Sequence, residues 1–214
     1  REGSLLVVHV NPTSLALFKS PGELGADIVT AEGQPLGVPL TFGGAYVGLF
    51  AARDSYKRQL PGRIAGRTKD TLGRVGYTLT LQTREQHIRR ETATSNICTS
   101  TQLIGLMVVA YVAALGRTGL RQVAELCYQK AHYLASEIDQ IPGYSLATEA
   151  DFFHEFPIIC PKPPAEINRR LLERQVIGGL DINEHLTNGM LLCATEMNTR
   201  SDIEHFLVAL RELA

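Results

Sequence analysis

The 214-residue chain has no excess of positive charge, because 21 Lys and Arg stand against 22 Asp and Glu. Nucleic-acid binders usually carry a clear cationic excess against the phosphate backbone, so this balance argues against a nucleic-acid partner. Long apolar runs are also scarce. The longest covers residues 103–115, which is too short to cross a bilayer. It predicts a buried helix in a globular protein without a membrane partner.

Closely spaced cysteines are missing as well. Cys98, Cys127, Cys160 and Cys193 lie about thirty residues apart, whereas zinc sites usually include a close pair of ligands. Each cysteine has apolar neighbours in the sequence. The pattern therefore predicts four reduced core thiols, no metal site and a cytoplasmic location.

Positive charge is nevertheless concentrated between residues 53 and 90, where ten Lys or Arg face three Asp or Glu. Ser95 and Asn96 can cap a following helix, and a helix start attracts anions. The candidate anion or interface residues are Arg63, Arg84, His87, Arg89 and Arg90. Two interpretations are open: a site for an anionic ligand, or an ion-paired structural surface.

Apolar periodicity changes beyond Pro142 to short alternating units, which form a second part that a long helix joins to the first. In the first, strands are predicted at residues 5–10, 26–29, 46–52 and 77–81, with a hairpin or loop at 66–76 and a buried helix at 95–115. In the second, an amphipathic helix at 120–141 precedes strands at 156–160 and 189–195 and helices at 164–175 and 201–213. Alternating strands and helices favour an α/β sandwich. The last helix offers two capping boxes, Thr199 with Asp202 and Ser201 with Glu204.

The chain begins almost at once with the apolar residues 5–10. A domain seldom begins inside a core strand, so we expect that an upstream portion is missing or supplied by another chain. Without that portion, apolar surface should be exposed near residues 5–10.

A glycine-rich segment spans residues 32–48. Within it, Thr41-Phe42-Gly43-Gly44 could let a backbone amide approach a ligand closely. The glycine spacing matches neither the dinucleotide fingerprint nor the phosphate loop. Ordinary tight turns are the alternative explanation.

Several long motifs carry a family resemblance: ADIVTAEGQPLGVPLTFGGAYVGLFAA, LPGRIAGRT, LTLQTREQHIRRETATSNICT and, towards the end, GGLDI and TEMNTRSDIEHFLVAL. Together they resemble subunit 1 of glycine dehydrogenase (decarboxylating), the P protein of the glycine cleavage system. The resemblance runs through the whole chain. It corresponds to about the C-terminal half of the family's subunit.

The resemblance implies an α/β architecture, the aminotransferase-like fold (type I) of pyridoxal-phosphate enzymes. Residues 1–116 would be the C-terminal part of the large domain, and residues 117–214 the small C-terminal α/β domain with its linking helix. Two-subunit members form an α2β2 heterotetramer in which one subunit holds the cofactor through the lysine of a His-Lys pair. At the matching place this chain has Gln34-Pro35, and the nearest lysines, Lys19 and Lys57, lie outside the motif. The resemblance therefore implies that subunit 2 holds the cofactor.

The same resemblance implies an activity. We expect this chain to act in glycine decarboxylation, with transfer of the aminomethyl group to the lipoyl group of the H protein. Thr41, Gly43 and Gly44 would reach the partner's cofactor phosphate, and the arginines would serve the subunit interface or the glycine carboxylate. For His87 we expect a buried, hydrogen-bonded side chain rather than a contact with the cofactor ring.

Two other functions remain open. The chain could be a non-catalytic partner that only stabilises the lysine-bearing subunit, with the arginines as ion pairs. Less favoured is an independent aminotransferase-like enzyme, which would have to bind pyridoxal phosphate covalently by itself.

Overall fold

The structure, a computed structural model, describes residues 3–60, 62–81, 83, 85–93 and 101–214. It divides into two compact units, Arg1–Gly116 and Arg117–Ala214. Each unit has its own β-structure.

A three-stranded sheet lies in the first unit. Its strands are β1 (Val7–His9), β2 (Ile28–Glu32) and β3 (Gly48–Ala52), in the order β1-β2-β3. The central strand is parallel to β1 and antiparallel to β3. A 3-10 turn, Pro12–Ala16, follows β1 and is capped by the side chain of Asn11.

The prediction of a buried strand at residues 5–10 is half right. The strand exists, but Leu5, Leu6 and Val7 are each about half exposed. The exposed apolar surface expected near residues 5–10 is confirmed. Short β-branched runs identify a strand, whereas its burial depends on neighbours that the run itself does not specify.

The predicted hairpin is confirmed, with β4 (Ile64–Lys69) antiparallel to β5 (Val75–Thr80). Its turn is built on Asp70, whose Oδ1 accepts hydrogen bonds from the amides of Leu72 and Arg74, both at 2.9 Å. These bonds and the Arg74 side chain lower the pKa of the Asp70 carboxyl. A short helix, α1 (Gln86–Arg89), and the 3-10 turn Arg90–Thr92 follow.

Helix α2 (Gln102–Ile138) is interrupted at Gly116, whose φ of 59° and ψ of −171° are not helical. The predicted helix stop at this glycine is therefore confirmed. By length and composition alone α2 could cross a membrane, but one such helix is weak evidence for a span. The interruption leaves a segment before Gly116 that is too short for this purpose.

The prediction that the first segment of α2 is buried is wrong. Val108 is buried, but Leu103, Leu106 and Val109 are 71%, 61% and 63% exposed. Apolar composition favours burial without naming the surface that provides it. The first unit has few buried apolar side chains to form such a surface. Among the described residues they are Ala26, Ala31, Val38 and Val108, with the prolines Pro12 and Pro21.

The second unit is a two-layer α/β structure. Its antiparallel sheet has the order β6-β7-β9-β8, from β6 (Ser145–Leu146), β7 (Glu155–Ile159), β8 (Leu180–Asp181) and β9 (Gly189–Cys193). Helices α3 (Pro164–Leu172) and α4 (Arg200–Arg211) complete it with the second segment of α2. The predicted strands and helices of this part are confirmed within a few residues at their ends.

The core of the second unit follows the predicted periodicities. Phe156 and Ile158 of β7 alternate with more exposed residues and point to the same buried face as Met190 and Leu192 of β9. The predicted stripe of α2 packs here through Ala131, Leu134 and Ile138. Spacing of two in strands and of three or four in helices thus produces one shared core.

One of the two predicted capping boxes exists. Thr199 accepts a hydrogen bond from the Asp202 amide, and the Asp202 carboxylate accepts one from the Thr199 amide at 2.8 Å. Glu204 instead accepts a hydrogen bond from the hydroxyl of Tyr133. The alternative box of Ser201 with Glu204 is therefore wrong.

Candidate functional site

The glycine-rich loop between β2 and β3 is closed at its base by Glu32. Its Oε1 atom accepts hydrogen bonds from the amides of Gln34 and Val47, both at 3.1 Å. The amide of Gly33 also donates to the carbonyl of Val47 at 2.7 Å. One carboxylate and one backbone bond thus hold the two arms of the loop together. Sequence reasoning missed this role of Glu32.

Gln34 begins the pair Gln34-Pro35, which the resemblance places opposite the His-Lys pair of the lysine-bearing subunit. Its side chain is half-buried, and its Nε2 donates to the carbonyl of Val38 at 2.7 Å. The amide is therefore used to shape the loop. The sequence contains no lysine between Lys19 and Lys57, so this loop offers no side-chain amine.

The tip of the loop contains Thr41, Gly43 and Gly44, the predicted contacts to a cofactor phosphate. The Thr41 hydroxyl donates to the carbonyl of Gly44 at 3.0 Å. Gly43 and Gly44 have φ values of 136° and 104°, in the region that favours glycine. Phe42, which directly precedes the two glycines, is 98% exposed. An exposed, glycine-dependent turn of this kind can present backbone groups to a molecule outside the chain.

The loop is also packed against the first segment of α2. A Cβ atom added to Gly37 would lie 2.5 Å from the ring of Tyr111, and the φ of Gly37 is +86°. Only glycine is compatible with both the space and the backbone conformation. Tyr111 is a second residue of the loop's environment that sequence reasoning did not identify.

The candidate anion residues lie on exposed backbone. Arg89 Nε donates to the carbonyl of Thr83 at 2.9 Å, and Arg63 and Arg90 are exposed. His87 is exposed as well, so the prediction of a buried histidine is wrong. It lies in a four-residue helix with no described buried residue, which is too short to provide an interior. Arg84, Ser95, Asn96 and Cys98 lie outside the described residues.

Part of the positive charge of residues 53–90 is balanced locally. Arg53 pairs with the buried Asp27 at 3.1 Å, Lys57 with Asp54 at 2.9 Å. Arg74 pairs with Asp70 of the β4–β5 turn at 2.7 Å. Among the described residues, at least three cations of the segment are therefore ion-paired, while the segment as a whole has seven more Lys and Arg than Asp and Glu. For Arg63, Arg89 and Arg90 the anion-site interpretation stays a prediction.

A family model described as the glycine cleavage system P-protein matches residues 1–210. The chain belongs to the P-protein family of the glycine cleavage system. A curated relative from Thermomicrobium roseum, probable glycine dehydrogenase (decarboxylating) subunit 1, is 52% identical over 213 residues, which are 98% of this chain and 48% of the relative. The chain thus spans about half the length of the curated relatives it matches. The resemblance read from the motifs is confirmed.

Solved structures agree with this membership. A crystal structure of glycine decarboxylase (P-protein) of the glycine cleavage system, in inhibitor-bound form, matches with a TM-score of 0.92 at 42% identity, over 99% of this chain and 49% of that one. The lyase C-DES, with glycine covalently linked to its PLP cofactor, matches with a TM-score of 0.58 at 15% identity, over 89% of this chain and 47% of its own. At that identity the likeness shows the fold alone. The predicted fold type I of pyridoxal-phosphate enzymes is confirmed.

Proposed function

We propose that this P-protein chain is part of a glycine decarboxylase subunit that contributes to catalysis without binding pyridoxal phosphate covalently. The reaction is the decarboxylation of glycine with transfer of the aminomethyl group to the lipoyl group of the H protein. The observation that carries the proposal is the pair Gln34-Pro35, which stands at the place of the His-Lys pair and whose Gln34 is held by hydrogen bonds to Glu32 and Val38. The lysine and the covalent cofactor then belong to subunit 2, in an α2β2 assembly.

The chemical groups of the loop determine whether this chain can bind the cofactor covalently or only contact its phosphate. A primary amide such as that of Gln34 is a poor nucleophile and cannot form the imine on which covalent binding depends. The exposed backbone of Gly43 and Gly44 does fit a phosphate, because consecutive amides can donate to its oxygens. When bound, pyridoxal phosphate supplies an electron sink for the carbanion left by decarboxylation. In this proposal the loop positions the phosphate of the pyridoxal phosphate that subunit 2 holds.

The arginines have a separate task in this proposal. The guanidinium group of Arg89 is oriented by its bond to the Thr83 carbonyl, and Arg90 follows it directly. An arginine can bind a carboxylate through two parallel hydrogen bonds. We assign these two residues, with Arg63, Arg84 and the exposed His87, to binding the glycine carboxylate or the acidic side of the subunit interface.

The distribution of buried surface supports a requirement for further polypeptide. The first unit exposes apolar residues on β1 and on the first segment of α2. These exposed residues are compatible with burial by the part of the family's subunit that this chain does not match. In that arrangement residues 1–116 are the C-terminal part of a large domain and residues 117–214 are the small domain. We place the assembly in the cytoplasm.

The same exposed surface favours one second candidate function. A chain whose main contribution is to cover apolar surface of subunit 2 would stabilise that subunit without touching the reaction. In that case the loop tip and the arginines would be dispensable for turnover, although association would still depend on this chain.

The experiment that separates the two functions is exchange of bicarbonate into the carboxyl group of glycine. It is measured with this chain, the remainder of its subunit, subunit 2 and the lipoylated H protein. Gly43→Ala places a side chain at a positive φ in the loop tip without a steric clash. We expect the exchange rate to fall at least about tenfold, while co-purification with subunit 2 stays normal.

Gly73→Ala is the matched control. Gly73 also has a positive φ, also has open space around an added Cβ, and lies in the β4–β5 turn. We expect a near-normal rate for this variant. Normal rates for both variants, with normal assembly, would reject the catalytic role and leave the stabilising one.

A further inference from the structure

Three potential metal ligands from two separate parts of the sequence meet at one end of the sheet in the second unit. His154 immediately precedes β7, Glu155 begins it, and Cys193 ends β9. One ligand atom from each, an imidazole nitrogen, a carboxylate oxygen and the Cys193 sulfur, all lie within 4.8 Å of one another. We propose that these side chains form a binding site for zinc or a similar divalent cation.

The backbone holds these side chains in register. Glu155 and Cys193 are direct partners in the antiparallel ladder, and the carbonyl of His154 accepts a hydrogen bond from the amide of Ala194 at 3.2 Å. The imidazole also stacks on the ring of Phe153, with the ring centroids 4.5 Å apart. Since the strands and the stacked ring fix three positions, only small side-chain movements separate the present arrangement from coordination distances.

The chemistry of the three groups suits zinc. Nitrogen, thiolate sulfur and carboxylate oxygen are its usual protein ligands, at roughly 2.0 to 2.3 Å. Tetrahedral coordination at those lengths requires ligand atoms roughly 3.5 Å apart. Movements of about 1 Å would bring the observed cluster to that spacing. Water would take the fourth position, because Glu155 and Cys193 also line an open cavity of about 500 Å³.

The local charge also favours a cation. Glu196 lies close enough to interact electrostatically with both His154 and Cys193, and its carboxylate accepts a hydrogen bond from the Cys127 thiol at 3.2 Å. The nearby ammonium group of Lys130 is directed at two backbone carbonyls, those of Glu196 and Asn198. Two carboxylates therefore remain to attract a divalent ion. On binding, the Cys193 thiol loses its proton to solvent as the metal–sulfur bond forms.

The sequence prediction of no metal site rested on the absence of closely spaced cysteines. That criterion detects sites whose ligands lie a few residues apart. Here a neighbouring pair, His154 and Glu155, meets a cysteine 38 positions later through strand pairing.

Cobalt(II) provides a direct test, because it takes the place of zinc and gives a thiolate-to-metal charge-transfer band. The purified 214-residue chain should show this band at one equivalent, and zinc should abolish it. Cys193→Ala should remove the band, and His154→Gln should weaken binding at least about tenfold. Cys160→Ala removes a buried thiol of the core and should leave the band unchanged.

A measurement on the unaltered chain keeps the test independent of variant folding. Zinc should slow alkylation of Cys193 at least about tenfold, as measured by mass spectrometry of its peptide, because the bound thiolate is no longer available as a nucleophile. A chain without a charge-transfer band, a band that persists in Cys193→Ala, or alkylation of Cys193 at the same rate with and without zinc would overturn the site.

Discussion

Two adjacent leucines of α3 allow a quantitative test of the core of the second unit. Leu171 is fully buried, whereas Leu172 is 65% exposed. Leu171→Ala removes apolar atoms from a packed interior and should lower the free energy of unfolding by about 3 kcal/mol. Leu172→Ala removes the same atoms from a largely solvated position and should change it by less than about 0.5 kcal/mol. The two substitutions have the same effect on helix propensity.

Urea denaturation followed by far-ultraviolet circular dichroism measures the difference. With a slope of about 1.5 kcal/mol per molar urea, the midpoint of the second unit's transition should fall by about 2 M for Leu171→Ala and remain nearly unchanged for Leu172→Ala. The slope itself should be the same in all three proteins. Equal shifts for the two variants would refute the assignment of the core to this face of α3.

Two further predictions concern polar contacts. Thr199→Ala removes the cap of α4 and should cost about 1 kcal/mol in urea denaturation. The bonds from Thr199 lower the pKa of Asp202, so their contribution to stability is present above the ordinary Asp pKa and is lost as the pH falls through the lowered value. The stability of the variant should therefore depend less on pH between about pH 5 and pH 3. An unchanged pH dependence would contradict this explanation. Arg53→Ala removes one charged partner of the buried Asp27 carboxylate and should destabilise β2 by about 1 kcal/mol, as measured by native-state hydrogen exchange. Lys57→Ala removes a partner from an exposed pair and should change the stability of β2 by less than about 0.5 kcal/mol.

The second unit was the more predictable half of the fold. The strand at β7 and the stripe on α2 follow simple periodicities, and their apolar faces meet within the same unit. The first unit shows the limit of this reasoning. Residues 103–115 have the composition of a buried helix, yet Leu106 is largely exposed, because periodicity identifies an apolar face without identifying what covers it.

The candidate site was predictable in its position but not in its contacts. The glycine spacing identified the turn at Gly43 and Gly44, and a missing lysine directed attention to Gln34. The roles of Glu32 and Tyr111 depend on pairings across the loop and on packing with a distant helix. For His87, a single residue type could not distinguish a buried side chain from an exposed one, and the preference for burial failed.

The contact between Gly37 and Tyr111 has an evolutionary consequence. A hydrogen bond at this point could be replaced by one between a different pair of residues. The contact with Tyr111 requires that residue 37 has no Cβ atom, so only glycine preserves it. Substitutions along the loop should therefore be tolerated at exposed positions such as Leu40 and be rejected at residue 37. More substitutions should be tolerated at Tyr111, since any aromatic ring of similar thickness would pack against the backbone of Gly37.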